Sequence, residues 1–304
     1  MTSDNESPGG TAGGTPASDI VILSPHLDDA VISLGGLISR EVALGRKVEV
    51  VSCFTSGPPL DTIAPTHRVF GDYSMRRAED ERAMAVLGAR HRWLDLHERI
   101  WREPPLPPSG IFPTHVFRTP DKMDDFAELK SIRAAISELL EAGATIYAPL
   151  AIGHHVDHVE VALAALREVL GRGAFDRICF YEDPYALGRA CRKQHFVAKR
   201  RMWRPFGAPA WASPRVGGLL RLVALAAKGP KLEEYLPEAD RLDWTCTPRA
   251  VTSADEDKKL AAIAEYVSQV RAFGGIERVS AFVRRGHRML GGEPIWSCRP
   301  ATPR

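Results

Sequence analysis

Two short segments hold most of the residues able to do chemistry. Ser24-Pro25-His26-Leu27-Asp28-Asp29 places an imidazole and two carboxylates within four residues; Gly153-His154-His155-Val156-Asp157-His158 places three histidines and an aspartate within five. Neutral imidazole and carboxylate are suitable ligands for zinc or ferrous iron. His26 and Asp29, with His158 as a second imidazole, make a three-ligand set that leaves one coordination position open, as catalytic metal sites require. Asp28 adjoins Asp29, so one carboxylate can bind metal while the other acts as a base. His-x-x-Asp alone is a common spacing, and an Asp before a helix often only caps it, a reading open to Asp29 and Asp157 alike. The density of histidines in the second segment favours a metal site over two capping residues.

The elements around these segments must bring them together. Residues 20–23 are a short apolar, β-branched run read as a buried strand. Residues 30–44 carry Ala30, Val31, Leu34, Leu37, Ile38 and Val42 at helical spacing, stopped by Gly45. The alternation continues with a strand at 48–54, a helix at 76–87 ended by Gly88, and a strand at 92–96. Next come an irregular loop at 104–120 holding six prolines, a helix at 126–141, a strand at 145–148, a helix at 157–170 and a strand at 177–181. Strands alternating with helices predict a parallel sheet covered on both faces. In such sheets ligands bind at the carboxyl ends of strands, near a switch in strand order. Both segments follow strands, so they can meet although about 130 residues separate them.

Outside this rhythm, residues 1–18 are rich in Gly, Ser, Thr and Pro and read as a disordered tail before a single domain at 19–304. Residues 186–240 read as an insertion or lid. Its first part is basic, with Arg189, Arg192, Lys193, Lys199, Arg200, Arg201 and Arg204 and no acid among them; an apolar stretch follows at 218–227. Such a run can enclose a substrate, meet an anionic surface, or simply be a solvated face. Residues 242–246 suggest a late strand, and 255–270 have helical spacing through Leu260, Ile263, Ala264, Val267 and Val270.

Composition narrows the function classes. Forty basic against 38 acidic side chains give a net charge of +2, which makes no global case for nucleic acid. No apolar run approaches a membrane span and no signal-like N-terminus is present, so a cytoplasmic location is expected. Cys53, Cys179, Cys191, Cys246 and Cys298 form no CxxC pair and read as free thiols of a reducing compartment.

Residues 24–36, SPHLDDAVISLGG, followed much later by His155-Val156-Asp157-His158, resemble the LmbE-like and PIG-L-type de-N-acetylases, zinc-dependent enzymes acting on N-acetylglucosamine conjugates. Gly35-Gly36 matches the family's Gly pair, where small residues let helix and sheet approach closely. Arg76-Arg77-Ala78-Glu79, then Ala83 and Leu87-Gly88, matches its Arg-x-x-Glu helix. The resemblance runs over residues 19–185 and implies an α/β, Rossmann-like fold: a mostly parallel sheet with helices on both faces, plus the lid-like insertion.

It also implies roles. His26, Asp29 and His158 match the metal ligands, for zinc or, as second candidate, ferrous iron. Asp28 matches the general base that takes a proton from water and later protonates the leaving amine. His155 matches the residue that stabilises the oxyanion as an imidazolium, and Asp157 orients and charges a neighbouring histidine. Arg76 matches a substrate-contacting arginine, with a surface helix arginine as the competing reading. Glu98 stands near an acidic residue that holds a sugar hydroxyl in some relatives. Where some relatives carry an oxyanion tyrosine, this chain has Gly153; His154, Tyr181 and Tyr185 are the replacement candidates. The implied activity is removal of an N-acetyl group from a small amino-sugar conjugate, with no organic cofactor. A homo-oligomer is compatible with it. The competing readings are an amidase for a larger acyl group or a thiol conjugate, and a non-catalytic Rossmann-like module. The latter lacks its Gly-x-Gly-x-x-Gly turn in PHLDDA, where two carboxylates repel a pyrophosphate.

Overall fold

The computed structural model describes residues 18–65, 68–102, 114–183, 188–201, 223 and 225–301. The strands are β1 (Ile20–Ser24), β2 (Val48–Ser56), β3 (Arg90–His97), β4 (Thr145–Pro149), β5 (Ile178–Tyr181), β6 (Asp243–Arg249) and β7 (Glu293–Arg299). The helices of six or more residues are α1 (Asp29–Ala43), α2 (Tyr73–Leu87), α3 (Leu129–Glu141), α4 (Val156–Arg172), α5 (Arg189–Gln194), α6 (Ser253–Glu265), α7 (Val267–Ala272) and α8 (Ile276–Leu290). One sheet runs in the order β3-β2-β1-β4-β5-β7-β6. Strands β1 to β5 are parallel, and β7 lies antiparallel to both β5 and β6.

All five residues of β1 are buried because helices cover both faces of the sheet. Val21 and Leu23 enter one core with Ile132 and Ile136 of α3 and Val159 and Leu163 of α4. Ile20 and Ile22 point the other way, to Val31 and Leu34 of α1, Met84 of α2 and Ile263 of α6. Each such side chain, fully removed from water, contributes about 1.5–3 kcal/mol. The order places β1 between β2 and β4, so the chain leaves β1 on opposite sides of the sheet. That is the switch point, and both histidine segments lie at its carboxyl edge.

The departures from the sequence reading are local at first. The helix expected from 76 starts at Tyr73, capped by Asp72, whose carboxylate accepts the Met75 N–H at 3.0 Å. The helix expected from 126 starts at Leu129, after a short turn at Met123–Asp125. The expected helix at 255–270 is two helices, divided at Tyr266, whose hydroxyl donates to buried Asp80 at 2.6 Å. The larger departure is at the C-terminus. α8 and β7 were not foreseen, yet β7 lies inside the sheet, between β5 and β6.

Gly36 brings α1 close to Glu293 of β7, a close approach of helix to sheet, while Gly35 lies against Lys259 of α6. Of the expected tail, residues 1–17 lie outside the described residues, whereas Ser18 is buried and donates to Glu49 at 3.2 Å. Part of the expected lid, residues 186–187, 202–222 and 224, also lies outside them, as do 104–113 of the proline-rich loop. All five cysteines are free. Among the described residues no helix is long and apolar enough to cross a membrane.

Candidate metal centre

The turn between β1 and α1 is built to leave its carboxylates free. Ser24 Oγ accepts the Ala30 N–H at 2.9 Å and donates to the His26 carbonyl at 2.5 Å, so the serine, not an aspartate, folds the turn. Asp28 is the N-cap position but makes no capping bond, and Asp29 is the first helical residue. The Asp29 carboxylate turns back instead. Its Oδ2 accepts the His26 backbone N–H at 3.0 Å and lies 3.1 Å from His26 Nδ1 and 3.1 Å from His158 Nε2. The capping reading of Asp29 is therefore replaced by a carboxylate oxygen held between two imidazoles.

The second segment is positioned by strained backbone. Ala151 (φ 62°), Gly153 (φ 107°) and His154 (φ 64°) occupy the left-handed region between β4 and α4. For the two non-glycine residues this costs about 1–2 kcal/mol each. The loop is held by the Asp183 carboxylate, which accepts the Ile152 N–H at 2.9 Å, and by His154 Nε2, 3.1 Å from the Lys228 carbonyl. It delivers His155 to the N-cap of α4, where Nδ1 accepts the Asp157 N–H at 3.3 Å. Ring centroids of His26, His155 and His158 lie 5.0–5.4 Å apart.

The second contacts of each ring fix its orientation. His158 Nδ1 lies 2.5 Å from Asp183 Oδ1, so Nδ1–H donates there and Nε2 turns to Asp29. His26 Nε2 lies 3.1 Å from Asp157 Oδ2. Asp157 is fully buried and held by the Arg99 N–H at 2.9 Å and by the Arg102 guanidinium, so it too is not a capping residue. Arg102 also bonds Glu160 at 3.0 Å. The expected charge partner of a histidine is thus Asp157 for His26, with Asp183 for His158. The sequence reading missed Asp183, Arg99 and Arg102; the signal for Asp183 was its place just past β5, on the edge where the site forms.

Electrostatics follow from this packing. Burial, then the adjacent Asp29 charge, pushes the Asp28 carboxyl up to about 6. Burial opposes ionisation of Asp29 as well, but His158 and His26 outweigh it and hold it well below the usual range. Burial works against charge on His158, yet Asp29 and Asp183 raise it to about 9. Burial holds His155 well below the usual histidine range, against the pull of Asp157. Burial thus works against the imidazolium expected at His155, and Nδ1 accepts a backbone N–H, which leaves Nε2 as the nitrogen free to carry a proton.

Arg76 is not a surface arginine. It is 6% exposed, bonds Glu98 Oε1 at 2.5 Å and the Phe70 carbonyl at 3.0 Å, and its charge acts on Asp28. Glu98, itself buried, makes this pair through Oε1. Of the tyrosine replacements, Tyr181 is fully buried and donates to the Leu23 carbonyl at 2.9 Å, and His154 is engaged by Lys228. Neither serves as the missing oxyanion donor; Tyr185 lies outside the described residues.

Two edges of the expected donor set suit a tetrahedral cation. Zinc bonds of about 2.0 Å demand ligand atoms roughly 3.3 Å apart, and the Asp29 oxygen stands 3.1 Å from a nitrogen of each of two histidines. A second grouping shares the space: ring nitrogens of His26, His155 and His158 lie within 4.8 Å of one another.

Fold and site together define an open, mostly parallel α/β protein with a histidine–carboxylate centre at its switch point. Residues 21–169, which span both histidine segments, match the family PIG-L: GlcNAc-PI de-N-acetylase, and the chain carries a domain of that family. A 2'-N-acetylparomamine deacetylase of Streptomyces fradiae is 31% identical over 179 residues, 55% of this chain and 57% of that protein. The chain therefore spans little more than half the length of this relative. A solved teicoplanin-pathway deacetylase superposes with a TM-score of 0.62 at 21% identity, over 94% of this chain and 99% of the other. An antibiotic pseudoaglycone deacetylase does so with 0.59 at 22%, over the same shares. These two likenesses establish the shared fold.

Proposed function

We propose that this protein is a metal-dependent hydrolase that removes the N-acetyl group from an amino-sugar conjugate. One observation carries the reading: within the PIG-L-family segment, Asp29 Oδ2 sits between His26 and His158, beside a carboxyl, Asp28, raised to about 6. His26, Asp29 and His158 would hold the cation, for which zinc suits the donors best. Bound there, such an ion polarises an amide carbonyl and acidifies water.

The chain's own residues do the rest. Asp28, ionised at neutral pH yet basic for a carboxylate, accepts a proton from the attacking water and returns it to the departing nitrogen, without which an amine leaves poorly. His155 donates Nε2–H where the carbonyl oxygen gains charge. Asp157, fixed by Arg99 and Arg102, and Asp183 hold the two ligand imidazoles in register. The Arg76–Glu98 pair flanks Asp28 and offers polar groups to a sugar hydroxyl.

A cavity of about 410 Å³, lined in part by Arg99, Arg102, Thr119, Phe126 and Glu160, reaches the two arginines that hold Asp157. Its lining carries charges of both signs, from Arg102, Arg118, Asp121 and Glu160, beside apolar Phe126 and Val156, and the charged groups suit a polyhydroxylated conjugate. The paromamine and teicoplanin-pathway relatives support an amino-sugar secondary-metabolite precursor as substrate.

The test is release of acetate and free amine from a panel of N-acetylglucosaminides by zinc-loaded protein, with chelation abolishing turnover. Release of longer acyl chains in preference to acetyl points to the broader amidase. Purified protein that takes up no stoichiometric metal and turns over nothing points to a binding module.

A further inference from the structure

We propose that Lys259 and Glu293, a buried ion pair contributed by α6 and β7, are positioning residues that set the direction of the metal-binding turn through a break in α1. The inference rests on reading His26, Asp29 and His158 as the metal ligands.

α1 is not continuous. Leu34 has φ −124° and ψ 17°, so the first turn, from Asp29 to Ser33, is separate from the helix body that starts at Gly35. A break of this kind leaves carbonyls unpaired on one side and N–H groups on the other. The Glu293 carboxylate accepts the N–H of Gly36 at 2.9 Å and of Leu37 at 2.7 Å, capping the body from another strand. Lys259 Nζ donates to the Ser33 carbonyl at 3.3 Å, closing the first turn, and to Glu293 Oε1 at 2.7 Å. His287 of α8 flanks the pair, 3.4 Å from Lys259 Nζ and 2.7 Å from Glu256.

The pair is 2–3% exposed. Taking two charges out of water is costly, and apolar side chains of like volume usually serve stability as well or better. The break explains why charges stand here: only a carboxylate can cap two amides, and only a long cation can reach the carbonyl across from it. Gly35-Gly36 is the seat of the device. A Cβ on Gly35 would lie 2.6 Å from Lys259 Cγ, and one on Gly36 2.8 Å from Val251 Cγ1.

A single turn has no directional stiffness of its own. This one is tied at its start by Ser24, through the Ala30 N–H, and at its end by Lys259. It carries Asp29, whose oxygen must stay 3.1 Å from His158 Nε2 on α4. Releasing the Ser33 end lets Asp29 drift from His158, and ligand geometry tolerates little drift.

The test is the double variant Lys259→Met/Glu293→Gln, which removes both charges while keeping side-chain length and one capping oxygen, with Glu293→Gln alone as the milder change. Zinc affinity by chelator competition, the visible spectrum of the cobalt(II)-loaded protein, thermal melting, and kcat and KM are measured well below the melting point. The expected result is a roughly 10-fold or greater loss of zinc affinity, a changed cobalt spectrum, and lower kcat at unchanged KM, graded from the single to the double variant. Lower melting temperature with wild-type zinc affinity, cobalt spectrum and kcat would reduce the pair to a structural role and overturn the proposal. Failure of the wild-type protein to bind zinc or cobalt overturns the ligand assignment itself, and the proposal with it.

Discussion

Asp28 and Asp29 are chain neighbours with opposite fates, and the difference lies in what each faces. Asp29 has two imidazoles within 3.1 Å and stays ionised, whereas Asp28 has burial and Asp29 against it. The roles separate by mutation. His26→Ala, Asp29→Ala and His158→Ala should each lose zinc in elemental analysis while staying folded. Asp28→Asn should keep zinc and lose about 10²–10⁴ in kcat; near wild-type turnover would remove Asp28 from the mechanism. His155 decides between the two donor groupings. If it serves the oxyanion, His155→Ala keeps full zinc and loses about 10²–10³ in kcat. If it is a ligand in place of Asp29, the metal goes instead. At this scale the sequence was most informative where residues lie close along the chain: His26, Asp28, Asp29, His155 and His158 do meet in space. Asp183 was signalled only by its place just past β5 and Arg102 not at all, because nothing else local distinguishes an aspartate that takes an imidazole 25 residues away from a solvated one. For the same reason Arg76 stood open between a substrate contact and a surface arginine, and it is the pair with Glu98 that buries it.

Elements were legible where apolar periodicity was strong and interrupted by glycine, as from β1 through β5. β7 failed that rule, since it opens with Glu293-Pro294 and owes its place to pairing on both edges rather than to pattern. α8 carries Val279, Val283 and Leu290 on its buried face among four arginines and a histidine, so its apolar stripe is sparse. One element-level prediction concerns the segment after α5. His195 is buried, with Nε2 at 2.8 Å from the Leu150 carbonyl and Nδ1 accepting the N–H groups of Val197 and Ala198. Burial holds it neutral, with its pKa down at about 3 against 6.5. Between these values the unfolded chain binds a proton that the native protein does not, so stability rises with pH. The contribution is fully present above pH ~6.5 and is lost as pH falls toward ~3. Urea unfolding between pH 6.5 and 4.5 should therefore show wild type losing about 2 kcal/mol more than His195→Gln. Equal slopes for the two proteins would mean that His195 is not held neutral.

For the whole molecule, the issue is how the segment from 186 to 240 joins the rest. Its cationic run left open a lid, an anionic-surface contact or a solvated face. Arg189, Lys193, Lys199 and Arg200 are exposed, whereas Arg192 is buried, and Arg192, Arg200 and Arg201 each bond to neighbouring elements. Arg192 is 2% exposed and forms a two-bond pair with Glu182 at 2.6 and 2.7 Å, while Trp296 of β7 donates to the same carboxylate at 2.9 Å. Arg200 reaches Asp240 at 2.9 Å and the Leu242 carbonyl at 3.3 Å, and Arg201 reaches the Cys246 carbonyl of β6 at 3.1 Å. These contacts fasten the segment to β5, β6 and β7, next to the strand end that supplies Asp183. Replacing Arg200 and Arg201 together by Ala removes one exposed ion pair, worth about 0.2–1 kcal/mol, and bonds to backbone carbonyls worth about 0.5–1.5 kcal/mol each. The double variant should thus lose about 2 kcal/mol, a fall of roughly 4–8 °C in melting temperature. Binding to anionic vesicles should match wild type at low and high salt, because both guanidiniums are already bonded, Arg200 to Asp240 and the Leu242 carbonyl and Arg201 to the Cys246 carbonyl. Turnover of a minimal N-acetyl sugar should also be unchanged at 25 °C. Salt-sensitive vesicle binding by wild type that the variant loses, with melting unaltered, would restore the surface role and contradict the anchoring drawn from these bonds.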